Sequence, residues 1–361
     1  MKNILVILGT RPEIIKLFPV IMVLKGMHYN VFLCNTGQQK ELTTQTLELF
    51  NLVPDYELSV MTSNQTLPST QARILKELEK IEIERFCDAV IVQGDTLTAF
   101  CGALIGFYSH KPVFHVEAGL RTYDISEPFP EEAYRKMITS IATFNFAPSL
   151  QAQQNLIREG VQESDILVSG NTIIDTLNYC KKHLNCCCAN KFKMSNNILI
   201  TVHRRENHDK LRDILSAIKE LSVSYPKFTY IVVLHPNPNV KFVIQKELSN
   251  LNNVILVNPL TYFDMIALML KSVLILTDSG GIQEEAAYLG IQTVILREKT
   301  ERQEILQFPY VHLVGTDSNV IYKTVESILS NLHKFEISKN KVYGNGDASI
   351  KIANKINELL Q

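Results

Sequence analysis

The sequence predicts an α/β protein built of two Rossmann-like, doubly wound domains with a central cleft. Three observations predict it. Short runs that are almost continuously apolar, and rich in Val, Ile or Phe, alternate with longer segments of helical period from end to end; strands buried on both faces of a parallel sheet read in this way. The pattern lapses once, over 179–197, where KKHLNCCCANKFKMSNN is polar and aperiodic, and then restarts. A chain of 361 residues is also too long for one comfortable core and suits two domains.

The elements follow in order. Strands are expected over 4–8, 31–35, 89–92, 113–116 and 144–147, with helices such as 71–85 and 96–108 between them. After the lapse, strands are expected over 198–202, 229–234, 254–257, 273–277 and 293–296, and a closing helix over 348–360 follows the turn-prone YGNGD. Ligands of such sheets sit at the carboxyl ends of strands, so both domains should aim their functional loops into the cleft.

Composition narrows the function classes. Hydrophobic residues make up 46% and charged residues 20%, and the net charge of -1 gives no basic field for nucleic acid or an anionic membrane. MKNILVILGT is too short an apolar run for a signal peptide and reads as a buried first strand. No segment approaches the roughly 18 apolar residues of a membrane helix. Seven cysteines, an odd number, and the consecutive Cys186, Cys187 and Cys188 fit neither a disulfide framework nor CxxC zinc spacing. They read as reduced thiols of a cytoplasmic protein with no metal site.

Several strand ends carry polar residues suited to chemistry. In TDSGGIQEEAAYLG, Ser279 can cap a helix that Gly280 and Gly281 open, and a glycine-lined helix start favours an anion such as phosphate. Glu285, about one turn in, could accept hydrogen bonds from ribose hydroxyls; an ordinary glycine-rich turn is the alternative. GTRPEIIK places Arg11 at a helix mouth and Lys16 about one turn along, which suits a diphosphate. It is not GxGxxG, so a dinucleotide has little support. In QGDT, Asp95 follows a strand and could be an N-cap or an acid. HRREN and LHPNPN put His203 and His235 at equivalent edges of the second sheet. Glu117 closes the strand VFHVE, ahead of Arg121. Glu131 and Glu132 start a helix after Pro130, where the plain reading is dipole complementation. Asp124 and Glu127 read as solvated. Asp95, Glu117 and Glu131 fall on one expected rim and could donate and accept protons from opposite sides.

Taken together, GTRPEIIK, QGDT, HVEAGLRT, PFPEEAYR, GNTIID, HRREN, HPNPNV, LTDSGGIQEEA, TER and YGNGDAS resemble the non-hydrolysing UDP-N-acetylglucosamine 2-epimerases, in consistent order along nearly the whole chain. The resemblance implies a glycosyltransferase-B type fold: a first domain over 1–180, a UDP-binding domain over 190–345, and a C-terminal helix over 346–361 that packs back on the first. It implies reversible conversion of UDP-GlcNAc to UDP-ManNAc for surface polysaccharide synthesis. The route would be anti elimination of UDP, a bound 2-acetamidoglucal, and re-addition, without nicotinamide or metal.

Asp95, Glu117 and Glu131 would then move protons, with either face of C2 open to each. Arg11, Lys16, His203 and His235 would serve the phosphates or the leaving group, His203 as a catalytic group. Ser279, Gly280, Gly281 and Glu285 would hold the β-phosphate and ribose. A homodimer is implied. So is a second, activating UDP-GlcNAc near Gln38, Arg73 and His235. The usual AQHR reads GQQK here, with Gln39 and Lys40 in the segment that regulation would use, and the usual TERPE reads TERQE, with Gln303 for proline. The hydrolysing relatives' motifs, GSRAE and HGGE, are replaced here by GTRPE and HVEAG. A 2-epimerase of a uronate or deoxy UDP-HexNAc, a UDP-sugar glycosyltransferase of the same fold and a catalytically dead UDP-sugar sensor are the alternatives.

Overall fold

The computed structural model describes residues 1–38, 40–61, 65–184, 196–202, 207, 209–235, 237–332 and 341–361, with Lys40 and Glu41 by backbone alone. The chain forms two compact units, residues 1–176 with 343–361, and residues 177–342.

Unit 1 is a parallel sheet of seven described strands in the order β3-β2-β1-β4-β5-β6-β7. These are β1 (Asn3–Leu8), β2 (Asn30–Asn35), β3 (Tyr56–Glu57), β4 (Ala89–Gln93), β5 (Val113–Val116), β6 (Phe144–Ala147) and β7 (Ile166–Val168). The central strands are apolar because helices cover both faces: Ile4 to Leu8 are wholly buried, and so are Val90, Ile91 and Val92. The covering helices include α1 (Arg11–Gly26), α2 (Lys40–Leu49), α3 (Leu67–Glu79), α4 (Ile83–Phe86), α5 (Leu97–Tyr108), α6 (Glu131–Ile141) and α7 (Leu150–Arg158). The single helix expected over 71–85 is two, α3 and α4, broken where Glu82 takes a left-handed φ of 52°. Strand order reverses between β1 and β4, so the turns leaving these strands diverge and open a crevice at their carboxyl ends.

After α8 (Thr172–Lys182), unit 2 repeats the plan with six described strands in the order β10-β9-β8-β11-β12-β13. They are β8 (Asn197–Thr201), β9 (Thr229–Val233), β10 (Val254–Val257), β11 (Ser272–Thr277), β12 (Gln292–Ile295) and β13 (Val311–Leu313), with α9 (Leu211–Ser224), α10 (Pro238–Leu248), α11 (Tyr262–Leu270), α12 (Gly280–Leu289) and α13 (Ser318–Ser330). Ile198, Ile200, Leu274 and Leu276 pack on Ile214, Ile218 and Leu221 of α9. The reversal here lies between β8 and β11.

The ten expected strands are all present, each within a residue of the expected ends. β3, β7 and β13, of two or three residues, are too short to stand out as apolar runs. Among the described residues no helix is long and apolar enough to cross a membrane. Cys34, Cys87, Cys101 and Cys180 are buried free thiols, and burial pushes Cys34 and Cys101 up to about 12, which makes them poor nucleophiles. Cys186 to Cys188 lie outside the described residues.

The chain returns to unit 1 in α14 (Ala348–Leu360). Asp175 receives its free N-terminal donors: Oδ1 accepts from Ser349 N (2.9 Å) and Ser349 Oγ (2.6 Å), and Oδ2 from Ala348 N (3.3 Å). Tyr29 donates to Asn357 (2.8 Å) and Lys2 to the Leu360 carbonyl. Asp175→Ala is expected to lower stability by about 1–2 kcal/mol, the cost of a lost cap, read as a fall in Tm.

Candidate active site

The crevice between β1 and β4 concentrates polar groups of unit 1. β1 runs out at Gly9, and Thr10 begins α1 in a T-x-x-E capping box. The Glu13 carboxylate accepts from Gly9 N (3.0 Å), Thr10 N (2.8 Å) and Thr10 Oγ1 (2.7 Å), and its other oxygen accepts from Thr96 Oγ1 (2.7 Å). Glu13 is fully buried, and burial pushes its carboxyl up to about 7 despite these donors. Arg11 is half-buried in the first turn.

At the end of β4, the cap of α5 is Thr96, which accepts from Ala99 N (2.9 Å), so Asp95 is not the N-cap. Asp95 instead pairs with Arg135 (2.5 Å), which also binds Glu132 (2.8 Å). His115, near the end of β5, is fully buried. Its Nε2 lies 2.8 Å from the Gly94 carbonyl and burial lowers it to about 4, so it is a neutral ring with the donor proton on Nε2.

Glu117, one residue past β5, has a φ of 63°. A non-glycine residue held in this region is strained by about 1–3 kcal/mol, and such strain clusters at functional positions. Its carboxylate accepts from Gln93 Nε2 (3.0 Å) and forms an ion pair with Lys16, both side chains almost fully buried. Lys16 is therefore held against Glu117 within unit 1.

The rest of the acidic stretch divides differently from its expected reading. Glu132 is no surface dipole residue: it is fully buried, accepts from Thr122 N and Tyr123 N (3.1 Å each), and so ties the loop to α6. Arg121 is buried in scaffold, paired with Glu159 (2.6 Å) and donating to Thr139 (3.0 Å). Asp124 and Glu127 are half-buried rather than solvated, and Asp124 accepts from Ser126 N (3.1 Å). Glu131 opens α6 and is half-buried. Gln38 accepts from Thr98 (2.8 Å), and Arg73 donates to the Val60 carbonyl (2.9 Å). Gln39 and the Lys40 side chain are outside the described residues.

In unit 2, β11 leads through buried Asp278 to α12. Asn207 donates to Asp278 and to the Leu296 carbonyl (3.0 Å each), fixing this end of the sheet. Ser279 occupies the N-cap position, but its hydroxyl makes no capping bond, contrary to the expected role; instead its N–H donates to Thr277 Oγ1 (3.0 Å). The first N–H groups of α12 thus keep their affinity for an anion. A Cβ on Gly280 would lie 2.6 Å from the Arg302 guanidinium, which Glu284 (2.6 Å) and Glu301 hold in place. A Cβ on Gly281 would meet nothing within 4 Å. Glu285, buried, accepts from Tyr262 OH (2.5 Å). His235 Nδ1 accepts from Asn237 N (3.2 Å). His203, with Arg204 and Arg205, lies outside the described residues.

The structure therefore gathers Asp95 and Glu117 past the ends of the neighbouring strands β4 and β5, with Lys16 of α1 set against Glu117, and Ser279, Gly280, Gly281 and Glu285 at one helix start. It adds Glu13, Gln93, His115 and Arg135, which were not singled out from the sequence. Only Glu13 had a local signal, the T-x-x-E spacing. Among the described residues no three His, Cys, Asp or Glu side chains cluster as metal ligands would.

Comparison with known proteins agrees with the motifs. A profile of the family described as UDP-N-acetylglucosamine 2-epimerase matches residues 24–357. The chain is 38% identical to the UDP-N-acetylglucosamine 2-epimerase of Campylobacter jejuni, over 98% of this chain and 97% of that one. Its fold matches the crystal structure of the Neisseria meningitidis UDP-GlcNAc 2-epimerase bound to UDP-GlcNAc (TM-score 0.94, 38% identity, 99% of this chain and 100% of that one). It also matches the Methanocaldococcus jannaschii UDP-GlcNAc 2-epimerase in complex with UDP-GlcNAc and UDP (TM-score 0.90, 33% identity, 99% and 100%). These neighbours share the expected fold class of two doubly wound α/β domains, of glycosyltransferase-B type. With a profile spanning nearly all of its length and a relative 38% identical over nearly the whole of both chains, the chain belongs to the UDP-N-acetylglucosamine 2-epimerase family, a family of isomerases.

Proposed function

We propose that this protein is a non-hydrolysing epimerase that interconverts UDP-GlcNAc and UDP-ManNAc at C2. The observation that carries the reading is the pair Asp95 and Glu117, at the ends of adjacent strands, each carboxylate held by a buried cation and Glu117 in a strained backbone. In the forward direction one carboxylate takes the C2 proton, the C–H electrons form C1=C2, and the C1–O bond to UDP breaks. Re-addition delivers a proton to the opposite face of the bound 2-acetamidoglucal while a diphosphate oxygen re-forms the bond to C1. Chemistry on two faces needs more than one acid, and Asp95, Glu117 and Glu131 are the groups for it.

Lys16 orients Glu117 and neutralises it. Arg11, His203 and His235 serve the diphosphate, and the α12 N-terminus stabilises its developing charge, with Glu285 on the ribose. Arg135 becomes part of this machinery through its hold on Asp95. The same reading makes the protein a cytoplasmic homodimer feeding surface polysaccharide synthesis, with Gln38 and Arg73 near a second, activating UDP-GlcNAc.

Proton NMR of UDP-GlcNAc with the purified protein in heavy water tests the reaction. The H2 signal should disappear as UDP-ManNAc accumulates. An H2 signal that persists would sink the proposal, and release of free ManNAc would move the protein to the hydrolysing class. The glycines test the phosphate site. Gly281→Ala should fold with a Tm no lower than wild type, because its Cβ meets nothing, yet bind UDP at least tenfold more weakly by calorimetry. Gly280→Ala should instead lose about 1–3 kcal/mol of stability against Arg302.

A further inference from the structure

A capping-box glutamate at the protein surface needs only its own helix start, but Glu13 does more. One of its oxygens takes the three donors of Gly9 and Thr10, and the other reaches the Thr96 hydroxyl across the crevice between β1 and β4. Thr96 uses both functions of its hydroxyl, donating to Glu13 and accepting from Ala99 N, so its rotamer is fixed. The residue between this anchor and Gly94 is Asp95. Gly94, at a φ of 71°, is gripped on its carbonyl by His115, and the Asp95 carboxylate is gripped by Arg135. All three holds rest on buried side chains, those of Glu13, His115 and Arg135. The Thr96 carbonyl also accepts from Phe100 N (3.0 Å), so α5 holds its backbone, and the Glu13 contact adds the tie from this backbone across the crevice to the start of α1.

We infer that Glu13 is a positioning residue for Asp95, acting through the Thr96 hydroxyl. The inference rests on the reading that Asp95 takes part in proton transfer at C2. A carboxylate that must meet a C–H bond tolerates little misplacement, since about 1 Å can cost about 10²-fold in rate. Glu13 touches no reacting atom; its effect falls on the rate of the chemical step and not on nucleotide binding.

Steady-state epimerisation of UDP-GlcNAc is measured for wild type, Glu13→Gln, Thr96→Val, Thr96→Ser and the Glu13→Gln/Thr96→Val double variant, with UDP affinity by calorimetry. Gln presents a donor where the site is built for an acceptor, and Val removes the hydroxyl at nearly constant volume. Each should lower kcat by about tenfold or more with KM and the UDP Kd within about twofold of wild type. Thr96→Ser, which keeps the hydroxyl, should recover most of kcat. The double variant should lose no more than the worse single one, because both remove the same contact.

Wild-type kcat in Glu13→Gln, additive losses in the double variant, or a rise in KM at unchanged kcat overturns the inference. If Glu13→Gln fails to fold, wild-type kcat in Thr96→Val overturns it equally. Absence of exchange in the wild-type protein overturns the C2 reading and this inference together. Exchange that is present in wild type and undiminished in both single variants overturns this inference alone.

Discussion

Glu117→Gln is expected to retain UDP binding while C2 exchange in heavy water falls by about 10²–10⁴-fold, the range a positioned general acid or base contributes. The neutral amide keeps an oxygen for Lys16 and Gln93, whose contacts with Glu117 Oε2 hold the side chain in place, but it cannot take a proton. The φ of 63° at position 117 is set by the turn and is as costly for Gln as for Glu, so strain does not separate the two. On the proposed reading UDP affinity reports the α12 site in unit 2, and an unchanged Tm is the check that unit 1, which carries Glu117, is folded. Exchange within tenfold of wild type would remove Glu117 from the proton-transfer set and leave Asp95 and Glu131 to account for it.

The pH dependence of stability should show two opposed contributions from the same crevice. Glu13 is raised from 4.5 to about 7, so the folded state holds its proton more tightly than the unfolded chain. Its contribution is fully present below about pH 4.5 and is lost as pH rises through about 7. At about 1.36 kcal/mol per pH unit, this is about 3 kcal/mol.

His115 is lowered from 6.5 to about 4, so the unfolded chain binds its proton more tightly. Its contribution, also about 3 kcal/mol, is present above about pH 6.5 and lost as pH falls through about 4. Over roughly pH 4.5 to 6.5 the two slopes nearly cancel in the wild-type protein. Denaturant titrations should therefore find stability rising with pH in Glu13→Gln and falling with pH in His115→Gln. Parallel profiles for wild type and Glu13→Gln would show that Glu13 titrates normally in the folded protein.

Legibility in the sequence tracked the range of the interactions involved. Apolar runs such as VFHV and SVLILT declare their strands because burial on both faces is written into every residue. The Ser-Gly-Gly helix start and the acids at strand ends could be singled out for the same local reason. Strands of two or three residues left no run to see. Arg121 and Glu159, thirty-eight positions apart, gave no sign of their pairing.

By itself, the sequence determined the fold class, the ten principal strands, the closing helix and the family, since each rests on local pattern or on ordered motifs. Only the tertiary structure decided what each polar side chain faces. It made Glu132 a buried anchor where dipole complementation was expected, and gave the N-cap of α5 to Thr96, leaving Asp95 to Arg135. It set Lys16 against Glu117 and placed Glu13 across the crevice from Thr96. The physical reason is that a carboxylate's role depends on which donors reach it and how much water it loses. Both are fixed by strands that become neighbours only on folding.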